Sequence, residues 1–563
     1  MTDNDSENVW EAPLASLVPD EKTVDVAEEL PSVREKLSLS GKVSWVLIVL
    51  MTIAMVSLTA MARQGEGTRT VATVGDLFEV QMQGKVTVGQ RALLEGLAPS
   101  VEPTGGDDSD GAEADSDPSA ADSAAANSAE DGDGEPENID DESSSDQSET
   151  RPVNPATQVP AQLNAGTYEQ RLCFVLLVNE NQGSDAAAEE LEDLDKQAVA
   201  AEFEPTEEQE QLRDCVGRLI EEQQAGNFES DHLTDEEQAL LAEKLGWIGE
   251  LALVPEGTSQ TAARKAMIGE SRIKFIVATL FGLTVGCSMF AGFVALVTLS
   301  IMFSTAKLRP LFKARGHGLN IYIETFAVWM FVFFVLPQLT ALGLRFVGVE
   351  IAGIGEKIFS LLFFWGSLVA LGWPVFRGIP FSQVLQDIGW KTKSPLKETL
   401  LSPLTYVAGL PLMIIAGGLA AGLSFLASLL SAEKEFGTSV AAGHPIQEML
   451  SEAGFVDIMF VVVMACVAAP IVEETFFRGV LYRHLRELTA GKTRLFSVLF
   501  SGLFNGFVFA AIHPQGFVAI PLLATLALSF SLAREWRDSL WASMCMHAIN
   551  NGAITVLMVC MVL

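Results

Sequence analysis

The stretch APIVEETFFRG, residues 469–479, places two adjacent carboxylates at the end of the apolar run 458–472. A charged side chain inside a membrane-spanning helix costs roughly 3 kcal/mol or more, so these two glutamates need an explanation. Helical spacing puts Glu474 and Arg478 on one face, and it rotates Glu473 by about 100° from Glu474. We therefore predict a Glu474–Arg478 ion pair and a Glu473 that is free for chemistry. A salt bridge at the end of a helix would account for the same pattern.

Apolar runs long enough to cross a bilayer continue on both sides of this stretch. A hydrocarbon core about 30 Å thick needs roughly 20 apolar residues in a helix. Because the first run follows more than 40 mostly polar residues, we interpret it as a retained anchor rather than a cleaved signal peptide. The sequence predicts an all-α polytopic membrane protein with about nine transmembrane helices, at residues 45–62, 273–304, 322–345, 357–376, 403–430, 456–486, 495–513, 516–533 and 539–562.

Basic residues in the loops predict the orientation. They gather in three loops, 305–321, 377–402 and 483–494, which share one side of the membrane, whereas the loop at 431–455 is acidic and lies opposite. Since basic loops favour the cytoplasm, we predict a cytoplasmic N-terminus in a multi-pass protein of the cell membrane. Four basic residues on the predicted outer side contradict this bias: Arg264, Lys265, Arg272 and Lys274.

Charge divides the chain into two parts. Its formal net charge is −36, of which residues 1–271 contribute −41 and residues 272–563 contribute +5. Such an acidic chain repels phosphate backbones, so we exclude nucleic acid as a partner. Residues 102–150 hold acidic, small and polar residues with no Lys or Arg, and this composition predicts a disordered linker. The sequence thus predicts a soluble acidic, partly disordered insert between the first two helices.

The rest of the insert has a more ordered composition. Alternating apolar and polar residues over 71–88 predict a short β-like segment within 63–101. Helical periodicity between 187 and 251 predicts a small, mostly helical domain over 151–271, in which 172–178 forms a strand or a buried helical turn. Cys173 and Cys215 either pair or remain free thiols. The remaining predicted segments are an N-terminal stretch 1–44, a second helix with its basic loop 272–319, and a membrane domain 320–563.

Two of the six histidines lie in later apolar spans. One is His513, four residues after Phe509, and the other is His547, four residues before Asn551. Each histidine alone is more typical of a helix–helix hydrogen bond. Together with the two carboxylates they predict a polar pocket inside the bilayer. Counting about 1.5 Å per residue puts these side chains at different depths, so we expect either tilted helices or a break at 514–516 to bring His513 level with Glu473.

These residue types suffice to hydrolyse a peptide bond without a nucleophilic Ser or Cys. A carboxylate in a medium of low dielectric is a stronger base toward water, and imidazole and amide N–H groups can stabilise an oxyanion. Zinc is the alternative, with Glu473, His513 and His547 as its ligands and an open water position. The residues leave the cofactor open, with a metal-free mechanism slightly favoured.

The ordered set EExxxR, FxxxH and HxxxN resembles the CPBP family of intramembrane proteases. This family is also called the ABI or CAAX-protease family and is related to the Rce1-type prenyl-protein endopeptidases. The matching residues are Glu473, Glu474, Arg478, Phe509, His513, His547 and Asn551, and the resemblance extends over roughly residues 320–563. It implies a helical membrane peptidase whose catalytic chamber opens toward the cytoplasm.

The resemblance also implies a role for each matching residue. Glu473 is the general base and His513 helps to hold water, whereas His547 and Asn551 form an oxyanion hole. The Glu474–Arg478 pair then positions the first helix. Membrane lipid and a peptide or membrane-protein substrate are the implied partners, and we do not transfer the prenyl specificity of the eukaryotic relatives to this chain.

Other classes of function fit the sequence less well. The motifs HExxH, GxGD and GxSxG, which are typical of other membrane or serine proteases, are absent. A proton-coupled transporter could relay protons through Glu473, His513 and His547, but such proteins usually contain repeated halves, and 272–450 has no second Glu-Glu segment. A non-catalytic membrane scaffold on the same fold is the third alternative.

Overall fold

The computed structural model describes residues 35–67, 74–97, 158–315, 318–430, 436 and 454–562. Within them every regular element is a helix: α1 Leu39–Gly67, α2 Val74–Leu97, α3 Tyr168–Gln182, α4 Ser184–Ala200, α5 Glu207–Gln224, α6 Asp235–Ala252, α7 Thr261–Ser304, α8 Leu319–Phe346, α9 Ile354–Phe376, α10 Phe381–Asp387, α11 Pro395–Gly409, α12 Leu412–Leu430, α13 Phe455–Leu488, α14 Arg494–Ala511, α15 Ile520–Arg537 and α16 Leu540–Val562. The acidic linker predicted at 102–150 and most of the N-terminal segment lie outside these residues.

The membrane part agrees with the predicted spans. Eight of the described helices are long and apolar enough to cross a bilayer, and the count is nine if α11 and α12, which meet at a bend of 45°, form one span. Each predicted run coincides with one of these helices, or with this bent pair, to within a few residues at most ends. The main exception is α7, a 44-residue helix that begins twelve residues before the predicted span because it continues into the soluble domain.

Helices α2 to α6 and the first turns of α7 form a second helical cluster, which we name the soluble domain after the sequence prediction. Three of its helices begin with the same local signal, a threonine and a Gln or Glu that cap each other, at Thr167, Thr206 and Thr234. Its core contains fully buried side chains from four helices, among them Leu172, Leu177, Val216 and Leu241. Cys173 and Cys215 are both free and buried in this core.

The β-like segment predicted within 63–101 is wrong, because residues 74–97 form the single helix α2. The buried residues Leu77, Val80 and Val88 recur at helical spacing, and this periodicity outweighs the local alternation. Gly89 lies so close to α7 that a Cβ atom there would overlap the Ser271 carbonyl oxygen. Gly84 and Gly89 therefore permit close helix packing rather than strand turns.

Contacts between helix ends define two faces of the membrane domain. We name the first the Asp387 face: there Leu319 donates to Glu35, and Arg315 pairs with Asp387 at 2.7 Å. α8 and α16 both begin on this face, since the Leu540 N–H donates to the Gly389 carbonyl near Asp387.

The opposite face holds the other ends of these helices, and we name it the Lys357 face. There Lys357 pairs with Asp457 at 2.7 Å, at the starts of α9 and α13. Lys274, just below the soluble domain on α7, donates to the Met561 carbonyl oxygen at the end of α16 at 2.7 Å. The first turns of α7 and the starts of α9 and α13 therefore lie on the Lys357 face, opposite the Asp387 face.

Candidate active site

Helix α13 carries both glutamates between two π-helical segments, Met464–Ala468 and Thr475–Leu481. Each such segment widens the helix by one residue and rotates the following side chains, and π segments are frequent at functional sites. Here they set the direction of Glu473 and Glu474 relative to the neighbouring helices α14 and α16.

Glu474 is fully buried and holds two partners. Its Oε1 accepts from Arg478 Nη1 at 2.7 Å, and it also faces His547 Nδ1 at 3.1 Å. The predicted Glu474–Arg478 pair is therefore present. The Arg478 guanidinium lies 4.7 Å from the ring of Phe509 and 5.2 Å from that of Phe530, so two aromatic faces surround the buried cation.

Hydrogen bonds at Nδ1 determine the tautomer of both neutral histidine rings. His513 Nδ1 lies 2.6 Å from the Phe509 carbonyl oxygen, which can only accept, so Nδ1 carries the hydrogen. His547 Nδ1 faces a carboxylate oxygen of Glu474 and carries a hydrogen for the same reason. In each neutral ring Nε2 is then left with its lone pair, as an acceptor.

These two Nε2 atoms meet at Glu473. Its Oε2 lies 3.8 Å from His513 Nε2 and 3.9 Å from His547 Nε2. His513 can approach Glu473 because α14 ends at Ala511 and the chain turns before the short helix at Phe517–Ala519. The predicted break at 514–516 is thus present, and it brings side chains from three helices to one place.

Glu473 Oε2 and the Nε2 atoms of His513 and His547 are also the atoms that could bind a zinc ion. Both rings have the outer hydrogen bonds that metal-bound histidines usually have. The spacing, however, is too wide, since atoms about 2.1 Å from a tetrahedral zinc lie about 3.4 Å from one another. A water molecule about 2.8 Å from each partner spans 3.8–3.9 Å readily. Among the described residues, no three His, Cys, Asp or Glu side chains are arranged to hold a metal ion.

Asn551 is held by a chain of hydrogen bonds that the sequence did not reveal. Its amide donates to the Ala465 carbonyl oxygen in the first π segment at 2.8 Å, and its oxygen accepts from Asn550 at 3.2 Å. Tyr406, on α11, donates to Asn550 at 3.2 Å. Each amide retains a second N–H. Two signals could have indicated these residues: Asn550 adjoins Asn551, and Tyr406 is one of only four tyrosines and lies in an apolar run.

A cavity of about 790 Å³ gives access to this cluster. Glu473, His513, His547 and Asn551 line its inner part, together with Asn550. Its walls are mostly apolar, and its rim on the Lys357 face carries the Lys357–Asp457 pair. The four predicted residues therefore share one chamber, whereas Glu474 and Arg478 are buried behind it.

Comparison with known protein families gives a match over the part of the chain that carries this cluster. A family model described as type II CAAX prenyl endopeptidase Rce1-like matches residues 455–553, a range that contains the glutamates, both histidines and Asn551. The chain has no significant match among curated proteins or solved structures. Residues 455–553 thus form an Rce1-like domain of the CAAX prenyl endopeptidase (CPBP) family, which is a family of peptidases.

Proposed function

We propose that this chain is an intramembrane endopeptidase that hydrolyses a peptide bond with a water molecule activated by Glu473. The observation that carries the proposal is the position of Glu473 Oε2, within 4 Å of two imidazole nitrogens at the inner end of a membrane cavity. Two of these three acceptors can take the two hydrogens of a water molecule, which leaves its oxygen lone pairs available for attack.

In this mechanism Glu473 removes a proton from the water as its oxygen attacks the carbonyl carbon. A C–O bond forms, the carbonyl oxygen becomes an oxyanion, and the C–N bond then breaks as the proton passes from Glu473 to the leaving nitrogen. His513 Nε2 accepts the other hydrogen of the water and so orients it. The Phe509 carbonyl, 2.6 Å from Nδ1, keeps that ring in the required tautomer.

The oxyanion needs donors, and the two asparagines supply them. Asn550 and Asn551 both line the cavity, and each has one N–H that is not used in the chain from Tyr406 to Ala465. His547 Nε2 carries only a lone pair while the ring is neutral, so we assign His547 an oxyanion role that requires the imidazolium. Glu474 and Arg478 are positioning residues in this scheme, because they hold His547 Nδ1 from behind.

Purified protein and a degenerate mixture of 15-residue peptides would test the proposal. Mass spectrometry should show new termini with the wild type and none with Glu473→Gln, provided that both proteins unfold at the same temperature. Equal cleavage by the two proteins would show that Glu473 is not the base.

The orientation of the chamber is part of the proposal. The start of α1 lies on the Asp387 face, since Glu35 contacts Leu319 there, and the chamber opens on the other face. A cytoplasmic N-terminus and a cytoplasmic opening therefore exclude each other. The basic loops on the Asp387 face favour a cytoplasmic N-terminus. We therefore propose that the chamber and the soluble domain face away from the cytoplasm.

A further inference from the structure

A second cavity, of about 440 Å³, lies among helices α7, α11, α14 and α15, outside the chamber. We name it the α15 cavity. Its wall on α7 is a stripe of four residues, Leu296, Leu299, Ser300 and Phe303. They share one face of the helix because they recur at helical spacing, and the stripe extends about 10 Å along the helix axis. The α15 cavity therefore runs along the membrane spans.

Small side chains explain why space remains between these helices. The wall on α11 and α15 contains Ala408, Gly409, Ser529 and Ala533. A Cβ atom on Gly409 would stand 2.9 Å from Ser529 Oγ, so the two helices touch and close the cavity from behind. Leu495 and Leu532, which also line it, are 71% and 37% exposed. The α15 cavity is thus open at the surface of the membrane domain.

The lining of the α15 cavity is apolar apart from three hydroxyl groups and the pair of Arg494 and Glu535. Each hydroxyl donates to a carbonyl oxygen of its own helix: Ser300 to Leu296, Thr405 to Ser402, and Ser529 to Thr525. A polar occupant would lose its hydrogen bonds to water without regaining them from these donors. An apolar chain is the occupant that fits this lining.

Arg494 stands at the end of the α15 cavity that adjoins the Asp387 face. Its Nη2 donates to Glu535 Oε1 at 3.2 Å, and the neighbouring Arg534 donates to the Asp387 carbonyl oxygen. Glu535 is also paired with Arg486 at 3.0 Å, so these three charges leave one net positive charge. The Arg494 side chain is 52% exposed, and its Nε and Nη1 have no partner among the described residues. Arg494 can therefore bind an anion at the surface.

Further basic residues lie beside Arg494. The loop after α7 runs along this end of the α15 cavity, because the Leu311 N–H donates to the Trp536 carbonyl oxygen at 3.0 Å and Arg494 donates to that of Pro310 at 3.4 Å. Trp536 lines the cavity here, and tryptophan is typical of the level of lipid head groups. The loop carries three exposed cations, Lys307, Arg309 and Lys313.

Helices α11 and α15 separate the α15 cavity from the chamber. Ser529 lines the α15 cavity, whereas the ring of the next residue, Phe530, lies 5.4 Å from that of His547. On α11, Thr405 lines the α15 cavity, and the next residue, Tyr406, belongs to the hydrogen-bond chain of the candidate active site. A molecule in the α15 cavity therefore binds behind the candidate active site and is not a substrate there.

We propose that the α15 cavity holds an acyl chain of an anionic phospholipid whose phosphate group pairs with Arg494. The apolar lining selects the chain, and a guanidinium group forms two parallel hydrogen bonds to phosphate oxygens. In the proposed orientation the Asp387 face is cytoplasmic, and the cytoplasmic leaflet is the one that carries negative surface charge. This site does not depend on the proposed peptidase activity.

Native mass spectrometry of the full-length protein in detergent would test the pairing with the head group. Dioleoyl phosphatidylglycerol and dioleoyl phosphatidylcholine have the same chains, and only the first has a net negative charge. We expect tighter binding of phosphatidylglycerol, and Arg494→Gln should weaken it about fivefold. Arg345→Gln, at an exposed arginine at the other end of α8, should leave it nearly unchanged. Equal binding of the two lipids, or equal losses in the two variants, would overturn the pairing.

Two variants on α7 would test the position of the acyl chain. Ser300→Trp places a ring in the α15 cavity, and Thr298→Trp places the same ring on an exposed side of the helix that does not line it. The pair is matched, because both hydroxyls donate to the carbonyl oxygen four residues earlier. Ser300→Trp should reduce phosphatidylglycerol binding several-fold and Thr298→Trp should not. Equal effects would show that the chain lies elsewhere.

A fluorescence measurement leaves the packing on α7 unchanged. Phosphatidylglycerol with brominated acyl chains quenches tryptophans that it touches, so the quenched intensity should be smaller in Trp536→Phe than in the wild type. Trp247→Phe, in the soluble domain, should keep the wild-type value. Equal quenching in Trp536→Phe and the wild type would place the chain outside the α15 cavity. Inorganic phosphate tests the other source of the anion, and if it raises the Tm as much as the lipid does, the lipid assignment is wrong.

Discussion

Glu473 Oε2 and His513 Nε2 lie 3.8 Å apart, although His513 lies beyond the end of its own helix, in the turn after Ala511. His513 Nδ1 is held by the carbonyl of Phe509, one helical turn earlier, so the orientation of the ring is set before any partner arrives. The carboxylate and the imidazole therefore present two acceptors at a separation that one water molecule spans.

Removing the charge of Glu473 tests its role as a base. Loss of a general base usually costs 10²–10⁴-fold in rate, so Glu473→Gln should reduce kcat by about that factor while its amide keeps the volume of the side chain. Glu356→Gln is the matched control, because Glu356 lines the outer part of the same cavity. Initial rates on a cleaved peptide measure both variants, and a similar loss in the two would indicate a general charge effect.

Arg478 is completely buried, and its change tests pairing rather than chemistry. Arg478→Met leaves the buried Glu474 without its cation, which should cost roughly 3–5 kcal/mol and lower the Tm in detergent. The double variant Glu474→Gln with Arg478→Met removes both charges, so it should recover most of that loss. Arg345→Met, at an exposed site, should change stability by less than about 0.5 kcal/mol.

Failure of the double variant to recover stability would show that Arg478 acts through packing alone. Phe509 and Phe530, on either side of its guanidinium, would then be the contacts to examine.

Sequence reasoning predicted the membrane part well, because a bilayer imposes one strong rule. An apolar run of the right length becomes a helix, and the few polar residues inside it attract attention. This rule singles out Glu473, His513 and His547 as candidates. It leaves tilted helices or a break at 514–516 as the two ways to bring His513 level, and the structure contains the break. The required length of an apolar run thus predicts the spans, and the polar residues inside these runs indicate the candidate site.

The structure of segments outside the membrane spans, and contacts between distant residues, are harder to predict from the sequence. In α2, alternation over a few residues favours strands, whereas the helical spacing of Leu77, Val80 and Val88 and the packing of Gly89 against Ser271 favour the helix that forms. The pairing of Tyr406 with Asn550 could not be predicted either, since it joins residues 144 positions apart. Such contacts depend on the order of helices around the chamber, which a single sequence does not specify.

Tyr406 tests the hydrogen-bond chain that orients the asparagines. Tyr406→Phe removes only the hydroxyl that donates to Asn550, so stability should fall by about 1 kcal/mol or less. If Asn550 and Asn551 stabilise the oxyanion, kcat should fall about three- to tenfold with little change in KM. Tyr168→Phe, in the soluble domain, serves as the control. A change confined to KM would place Tyr406 in substrate binding instead.

Removing metal ions tests whether Glu473 and the two histidines bind water rather than zinc. Separations of 3.8 and 3.9 Å suit a bridging water better than zinc, so prolonged dialysis against a strong chelator should leave activity unchanged. Metal analysis before and after dialysis provides the control. Loss of activity that zinc alone restores would show that the two rings and Glu473 close around a metal ion.

The position of the soluble domain gives a prediction about topology. Lys274 contacts the end of α16, and Lys357 and Asp457 mark the rim on the same face, so residues 130 and 440 should lie on one side of the membrane and residue 491 on the other. Single cysteines at these positions, in a background without exposed cysteines, can be labelled in intact cells with a membrane-impermeant maleimide. With a cytoplasmic N-terminus, residues 130 and 440 should react and residue 491 should not. The reverse pattern would keep the architecture and turn the chamber toward the cytoplasm, whereas different labelling of 130 and 440 would contradict the arrangement of the helices itself.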